Sequence, residues 1–451
     1  MASLESEFYQ PLSEAIATGD ETQIRAAAAT FNAADLGDYV EANPGPDDGV
    51  RLLRALPVQQ SARVFGYIGP TIQTVIADQL PTPDLAELVT AMSSDERADF
   101  FNILDEDRQH TLLQSLASKE REDLRRLAGF AAGTAGALMS SEYATIHTGM
   151  TASEAINLLR NTAPEKETIY HAYVIDSDQK LVGAVSLRDL ITAMPGTPVD
   201  NLVATGLITA RTDTPQEEVA RLIARYDLLA LPVVDHDQRL VGIVTYDDAM
   251  DVAEAEATED IHKGATVGKL DTRLKNATPF SLYRSRVHWL VILVFANIFT
   301  GAGITYFEET ISEHMALLFF MPLLVASAGN AGAQSATLMV RGMATGDVSA
   351  ADWARLLGRE TLVAGALGVT MAAAVMMVGI LRAGPEIAAV VAITMIIVVM
   401  TGSLIGMLLP FLLDKLRIDP ATASMPLITT IADVSGVLIY FSVATALLGL
   451  S

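Results

Sequence analysis

The chain has 451 residues, too many for one compact core, and a formal net charge of −24 at pH 7, so length alone predicts two to four domains. A surface this acidic repels nucleic acid and attracts cations, and the absence of cysteine excludes disulfides and thiolate metal sites within this chain. The first ten residues lack the basic-then-apolar pattern of a signal peptide, so we expect the N-terminal part to stay in the cytosol.

Charge is unevenly distributed along the sequence. Residues 282–451 contain only 10 of the 54 acidic side chains and 8 of the 30 basic ones, and most of the other residues there are apolar. The first 281 residues therefore carry a net charge of −22. This division predicts a strongly acidic soluble part followed by a membrane domain.

Residues 1–135 contain short amphipathic helices separated by turn signals, such as the prolines within 43–46 and 81–84. Leu85, Leu88 and Met92 form an apolar stripe at helical spacing, and the polar residues that follow cap the next helix. The simplest interpretation is an all-helical superhelix whose apolar stripes are ordinary core positions.

Residues 136–258 contain an internal repeat. The 18 residues from Tyr173 align without a gap on those from Pro232, an offset of 59 residues. Each copy predicts a strand, a polar turn, a second strand centred on Gly183 or Gly242, and then a helix. This pattern resembles a pair of CBS (cystathionine-β-synthase) domains, which implies an α/β module that often binds adenine nucleotides. The fold alone does not determine what such a module senses.

Carboxylates are dense where this repeat ends and a linker begins. Glu256, Glu259 and Asp260 share one face of a predicted helix, and Asp248 and Asp251 lie one turn apart just before them. Like charges at this spacing repel each other unless a cation lies among them. These five residues are therefore candidate cation ligands.

Five later segments are apolar and long enough to cross a membrane. They span about 287–307, 315–340, 358–381, 387–413 and 421–450. Basic residues concentrate at the segment ends that would share a side with the soluble part. By the positive-inside rule, the C-terminus is then extracytoplasmic.

The second of these segments contains a run of small and amide-bearing residues from Ser327 to Thr337. Small residues let helices approach closely, and helix packing alone is one explanation of the run. Asn330 and Gln334 favour a water-filled path, because amide groups in hydrocarbon need partners.

Asp433 lies about halfway along the fifth segment, which also contains Thr429 and Thr430. A carboxylate near the bilayer centre costs roughly 2.5–3.5 kcal/mol, and a permeating cation would offset that cost. The alternative is a protonated Asp433 that is hydrogen-bonded to neighbouring helices. In a symmetric dimer, two such carboxylates would meet at one axis, which suits a Mg²⁺ ion that keeps most of its waters.

The whole chain resembles the MgtE family of bacterial magnesium channels. Three motifs carry the resemblance: PLLVASAGNAGAQSATL at 322–338, DPATASMPLITTIADVSGVLIY at 419–440 and DVAEAEATEDIHK at 251–263. The resemblance implies a multi-domain protein with an all-α superhelical N domain (1–135), an α/β CBS pair (136–258), a connecting plug helix (259–281) and an all-α five-helix transmembrane pore domain (282–451).

The resemblance also implies a homodimeric Mg²⁺ channel that cytosolic Mg²⁺ closes. Asp433 matches the central pore ligand of the family. The implied pore lining comprises Gly329, Asn330, Gly332, Gln334, Asp419, Thr429 and Thr430. The implied regulatory Mg²⁺ ligands are Asp95, Asp227, Asp248, Asp251, Glu256, Glu259 and Asp260.

Two departures from the family pattern concern the pore lining and the expected ATP site. Ala328 replaces a glycine that the family has before Asn330, which would narrow or stiffen the pore lining. The family's contacts to ATP, as a modulator, are expected at Tyr170, Arg188 and Asp189. Leu228, however, occupies the place of an aromatic residue that would stack on adenine.

Three other classes of function remain open. A transporter of another divalent cation, such as Co²⁺ or Mn²⁺, would differ only in selectivity, and the absence of cysteine argues against Zn²⁺. A non-conducting membrane receptor that senses nucleotides would not need Asp433. A membrane enzyme is least favoured, because the apolar segments supply no buried base or nucleophile beside Asp433, so we expect no enzymatic activity.

Overall fold

The computed structural model describes residues 2–43, 45–268, 274 and 277–449. The chain divides into two compact units, Met1–Glu254 and Ala255–Ser451. The first contains a helical part and a pair of small sheets, and the second is helical. The predicted order of a helical N domain, an α/β repeat and a helical membrane domain is confirmed.

The described residues before Gly133 form ten helices. They are α1 (Ala2–Thr18), α2 (Glu21–Ala28), α3 (Ala33–Ala42), α4 (Pro46–Ala55), α5 (Val58–Gly66), α6 (Pro70–Gln79), α7 (Thr82–Thr90), α8 (Ser94–Ile103), α9 (Glu106–Ser115) and α10 (Ser118–Leu127). From α2 to α8, each helix contacts the second helix that follows it in the chain. Such repeated neighbour contacts build the superhelix that the sequence predicts.

Helices α4 to α10 begin at every twelfth residue, from Pro46 to Ser118. Two positions before each start from α5 onward lies a buried apolar side chain. These side chains are Leu56, Ile68, Leu80, Met92, Leu104 and Leu116. The twelve-residue period is visible in the sequence, but the sequence analysis did not find it.

The paired sheets follow a short helix, α11 (Ala135–Leu138). The first repeat contains β1 (Tyr143–His147), α12 (Ala152–Thr162), a 3₁₀ turn (Ala163–Glu165), β2 (Thr168–Ile175), β3 (Leu181–Ser186) and α13 (Leu187–Thr192). After a 3₁₀ turn at Val199–Asn201, the second contains β4 (Ala210–Arg211), α14 (Gln216–Tyr226), β5 (Ala230–Val234), β6 (Leu240–Thr245) and α15 (Tyr246–Gly264). In each sheet the first strand is parallel to the second, which is antiparallel to the third.

The two hairpins of these sheets are equivalent in detail. Gly183 in β3 pairs with Val174, and Gly242 in β6 pairs with Val233. In both turns an aspartate side chain accepts two main-chain N–H groups. The predicted repeat is therefore confirmed, and its helices α13 and α15 begin at the equivalent residues Leu187 and Tyr246.

The second unit continues with seven helices among its described residues. They are α16 (Pro279–Ala296), α17 (Ile298–Tyr306), α18 (Glu308–Glu313), α19 (Ala316–Ala344), α20 (Trp353–Ala383, after a 3₁₀ turn at Ala350–Asp352), α21 (Pro385–Lys415) and α22 (Met425–Leu448, after a 3₁₀ turn at Pro420–Thr422). Five stretches are long and apolar enough to cross a membrane: Pro279–Tyr306, Ala316–Ala344, Ala350–Ala383, Pro385–Lys415 and Met425–Leu448. Their number agrees with the prediction.

Two predicted boundaries differ from the structure. The fifth apolar helix begins at Met425, because Ser424 caps it with a side-chain hydrogen bond to the Leu427 N–H group. Of the predicted connecting helix, residues 259–264 are the end of α15, whereas 265–268 and 277–278 are not helical. Residues 269–273, 275 and 276 lie outside the described residues, as do the termini at 1, 450 and 451 and Pro44 in one predicted turn.

The core of the second unit lies among α19, α21 and α22, and α20 packs on α21. Tyr440 on α22 donates a buried hydrogen bond from its hydroxyl to the carbonyl oxygen of Leu317, at 2.9 Å. The end of α22 therefore lies beside the start of α19, and the two helices run antiparallel.

Candidate functional site

Small residues allow α19, α21 and α22 to pack closely. A Cβ atom on Gly332 would lie 2.7 Å from the Gly402 carbonyl oxygen on α21, and one on Gly329 would lie 3.1 Å from Thr429 on α22. Ala328 is 1% exposed and faces the same α21 crossing. Ala328 therefore packs between helices in this chain and is not on an open face of α19.

The amide side chains occupy a different face of α19. Asn330 and Gln334 are exposed and lie one turn apart, and Ala326 and Thr337 extend the exposed face in both directions. The run of small and amide residues thus has two roles. One face packs against neighbouring helices, and the other is a polar strip that the described part of this chain leaves uncovered.

Asp433 lies on α22 and is half-buried. One turn before it, Thr429 lies beside Gly329 of α19. About one turn after it, Gly436 faces Val325 of α19. Asp433 is therefore level with the start of the small-residue run on α19. The same helix α19 carries the two amide side chains.

Thr430 has a different environment from Thr429. It is buried, and its hydroxyl donates to the Pro426 carbonyl oxygen at 2.9 Å within α22. The partly buried Thr429 donates in the same way to the Met425 carbonyl oxygen at 2.9 Å, so the two residues differ in burial and not in this hydrogen bond. Because Thr430 is buried, it contributes to the packing of α22 and does not face an open surface.

Asp419 belongs to a group of charged side chains ahead of α22. Its Oδ1 accepts the Ala421 N–H group at 2.8 Å, and its Oδ2 lies 2.5 Å from Lys263 Nζ. The same Nζ lies 2.6 Å from Glu259 Oε1. Burial and the Asp419 carboxylate raise the pKa of Asp260. The structure thus brings together Glu259, Asp260 and Asp419, and adds Lys263, which the sequence analysis did not identify.

A second group of carboxylates gathers between α8 and the start of α15. Asp95 on α8 has a buried Oδ1 atom without a hydrogen-bond partner. Burial and the carboxylates of Asp248, Glu167 and Glu96 raise the pKa of Asp95 well above its usual range. Burial also raises the pKa of Asp248, against the hydrogen bond that Thr245 Oγ1 donates to its Oδ2 at 2.6 Å.

Two further carboxylates complete this group. Burial and Asp248 raise the pKa of Glu167 to about 7 and that of Asp99 to about 6. Sequence analysis identified Asp95 and Asp248 but missed this pair. Asp99 lies four residues after Asp95 on α8, a spacing that could have revealed it. Among the described residues, no three His, Asp or Glu side chains already lie in metal-coordinating positions.

The remaining predicted regulatory residues lie elsewhere. Asp227 is exposed and ends α14 in a left-handed conformation, with φ of 52°. Asp251 is exposed on α15, where burial and then Asp247 raise its pKa. Glu256 lies in the second unit and raises the pKa of Asp260.

The predicted nucleotide residues lie in the first sheet repeat. Tyr170, near the start of β2, is 67% exposed, and Arg188 on α13 is also exposed. Asp189 accepts the Ser186 hydroxyl at 2.6 Å, and Ser186 caps α13 by accepting the Asp189 N–H group at 3.1 Å. Leu228 is partly buried against the core. Tyr170 and Arg188 lie at the same end of the β2–β3 hairpin.

Family profiles match three parts of the chain. The profile described as "Divalent cation transporter" matches residues 321–443, and the "MgtE intracellular N domain" profile matches 31–133. The CBS domain profile matches 135–196 and 199–255.

Full-length relatives and a solved structure agree with these profiles. The chain is 39% identical over 448 residues to the magnesium transporter MgtE of Thermus thermophilus, with 99% of each chain covered. It is 35% identical over 397 residues to the magnesium transporter MgtE of Bacillus subtilis, with 88% of each covered. A structure of the cytosolic domain of the Mg²⁺ channel MgtE in complex with ATP matches with a TM-score of 0.51 and 38% identity, over 54% of this chain and 98% of that chain.

Proposed function

The chain belongs to the MgtE family of magnesium transporters, and we propose that it is a homodimeric, Mg²⁺-selective channel through which Mg²⁺ flows passively into the cytosol. The position of Asp433 on α22, level with the start of the run of small and amide-bearing residues on α19, carries this proposal. A carboxylate near the middle of an apolar helix is costly unless a cation accompanies it. A second copy of the chain would supply a second carboxylate and cover the strip.

The proposed pore suits a hydrated Mg²⁺ ion. Mg²⁺ dehydrates reluctantly and binds through one or two carboxylates while it keeps several waters. Asn330 and Gln334 offer amide oxygens and N–H groups that can hydrogen-bond those waters. Gly329 and Gly332 let the helices that carry these groups approach each other, and Asp419 lies at the cytosolic entrance.

We propose that cytosolic Mg²⁺ closes this channel by binding two groups of carboxylates. The first comprises Asp95, Asp248 and their neighbours, and the second comprises Glu256, Glu259, Asp260 and Asp419, with Asp227 and Asp251 contributing in the dimer. In the first group, burial and mutual repulsion favour the neutral acids, and a divalent cation would relieve that repulsion. Since these carboxylates are not already in coordinating positions, waters would complete the ion's coordination.

Separate observations support the side of the membrane on which the C-terminus lies and the binding of ATP. Basic residues flank the helix ends on the side of the soluble part, which supports an extracytoplasmic C-terminus. The homologous cytosolic domain solved with ATP supports ATP as a modulator that binds near Tyr170, Arg188 and Asp189. The exposed faces of Tyr170 and Arg188 leave room for a base and phosphates.

Mg²⁺ flux into sealed liposomes tests the proposed pore. The wild-type protein should load liposomes that contain a Mg²⁺-sensitive dye, and Asp433→Asn should not. Asp414→Asn, which removes an exposed carboxylate near the end of α21, is the matched control and should conduct normally. Equal flux through wild type and Asp433→Asn would reject Asp433 as the pore ligand. Faster loading with Mn²⁺ or Co²⁺ than with Mg²⁺ would favour the broader divalent-cation transporter.

A further inference from the structure

Lys263 joins two segments that lie far apart in the sequence. Its Nζ atom lies 2.5 Å from Asp419 Oδ2 and 2.6 Å from Glu259 Oε1. The other Asp419 oxygen already accepts the Ala421 N–H group. Each carboxylate thus presents one oxygen to the ammonium group, and Lys263 occupies the space between them.

The main chain after Lys263 holds this side chain in place. The Thr266 N–H group donates to the Lys263 carbonyl oxygen at 2.9 Å, and the Gly268 N–H group donates to the Ser285 carbonyl oxygen on α16 at 2.7 Å. Thr266 has a φ of 56°, which is unfavourable for a β-branched residue unless its surroundings impose it. The end of α15 is therefore fixed where the ammonium group reaches both carboxylates.

Among the described residues, the side chains that interact with the Lys263 ammonium group are carboxylates. Burial of the ammonium group opposes its charge, but its hydrogen bonds to Asp419 and Glu259 outweigh this effect and raise the pKa of Lys263. Asp419, Glu256 and Glu259 all raise the pKa of Asp260, whereas Lys263 lowers it. One ammonium group thus compensates a group of four carboxylates.

We propose that Lys263 is an internal cation that competes with Mg²⁺ for Glu259 and Asp419, and so sets the cytosolic Mg²⁺ concentration at which this site fills. This inference rests on the proposed closure by cytosolic Mg²⁺ and names the residue that determines its threshold. Mg²⁺ takes carboxylate oxygens as ligands. The Glu259 Oε1 and Asp419 Oδ2 atoms are both in contact with Lys263 Nζ. Binding there requires Lys263 to release them.

A fluorescent reporter on α15 tests this competition apart from flux. The sequence contains no cysteine, so a single cysteine at the exposed Ala257 can carry an environment-sensitive dye. The full-length protein in lipid nanodiscs is titrated with Mg²⁺, and the midpoint of the fluorescence change is compared among variants. Lys263→Met should lower this midpoint at least about threefold, because Mg²⁺ no longer displaces a positive charge.

Two controls separate charge from a loss of structure. Lys263→Arg keeps the positive charge and should leave the midpoint within about twofold of wild type. Lys415→Met removes an exposed lysine at the end of α21 and should have the same small effect. Thermal unfolding of each variant shows whether it folds.

The outcomes distinguish this inference from the proposed closure. An unchanged midpoint in a responsive Lys263→Met protein would reject the competition alone. A higher midpoint would also reject it, because Lys263 would then hold the site closed together with Mg²⁺. A wild-type protein that shows no change with Mg²⁺ would reject both the closure by Mg²⁺ and the competition that depends on it.

Discussion

The hydroxyl of Ser94 at the start of α8 lies 3.0 Å from the hydroxyl of Ser140, just before β1, and both side chains are at most 1% exposed. Ser94 also accepts the Ser141 N–H group at 2.8 Å. This buried contact joins the superhelix to the sheet repeat within the first unit. It also fixes the neighbouring Asp95 near Asp248.

Replacing Ser94 by alanine should therefore loosen this junction. Ser94→Ala leaves the Ser141 N–H group without its acceptor, which costs about 1–3 kcal/mol of unfolding free energy. We expect a lower melting temperature and weaker stabilisation by Mg²⁺, both measured by thermal unfolding in a Mg²⁺ series. Ser118→Ala, at an exposed helix start, should change the free energy of unfolding by less than about 0.5 kcal/mol. It should leave the stabilisation by Mg²⁺ unaltered. The same result for both variants would argue against the junction.

The acidic group between α8 and α15 predicts a pH-dependent stability. The pKa of Glu167 is raised to about 7 and that of Asp99 to about 6. A carboxyl group with a higher pKa in the folded state binds more protons when folded, so its contribution lowers the free energy of unfolding as pH rises through this window. Without Mg²⁺, we expect a melting temperature lower at pH 8 than at pH 5.5 by about 2–4 °C.

Mg²⁺ and matched variants check the origin of this pH dependence. Saturating Mg²⁺ should flatten it, because the cation compensates the charged carboxylates. The double variant Glu167→Gln and Asp248→Asn should flatten it without Mg²⁺. A melting temperature that instead rises from pH 5.5 to pH 8 in the wild-type protein would contradict the assignment.

The exposed amide strip of α19 predicts a graded loss of flux. Asn330→Leu or Gln334→Leu replaces a group that can hydrogen-bond the waters of Mg²⁺, and each should reduce flux about tenfold or more at unchanged expression. Ser335→Ala is the control on the same helix, because the Ser335 hydroxyl is buried without a hydrogen-bond partner. It should be neutral in both flux and stability, and a tenfold loss there would mean that the packed face of α19, too, controls conduction.

The crossing of α19 and α21 predicts a strong effect of a single methyl group. In Gly332→Ala the new Cβ would lie 2.7 Å from the Gly402 carbonyl oxygen and 2.8 Å from Ile428. The helices must separate, at a cost of about 1–3 kcal/mol, and flux should fall with thermal stability. Gly365→Ala on α20 meets no atom within 4 Å and should change stability by less than about 1 kcal/mol. Equal behaviour of the two variants would contradict the close crossing.

Local patterns made much of this architecture predictable. The 59-residue repeat predicted two equivalent hairpins, each followed by a helix, since equivalent sequences adopt equivalent hairpins, and hydropathy predicted the number of apolar helices. Asp433 stood out because one carboxylate in an apolar segment is a purely local signal. The faces of Asn330 and Ala328 were less predictable, because only the neighbouring helices decide which side of α19 is packed.

Contacts between distant residues explain what the sequence analysis missed. Lys263 and Asp419 are 156 residues apart, and no spacing rule relates them. Glu167 and Asp248 likewise meet only because a sheet strand and a helix lie side by side. The twelve-residue period in the N domain is different, since it was present in the sequence and needed only a search at that spacing.

The twelve-residue period also bears on how the N domain tolerates change. Each of its helices contacts mainly near neighbours in the chain, so the effect of a change at one end should weaken with distance. Changes within α1 to α3 should therefore leave the position of α8, and of Asp95 at its start, unaltered.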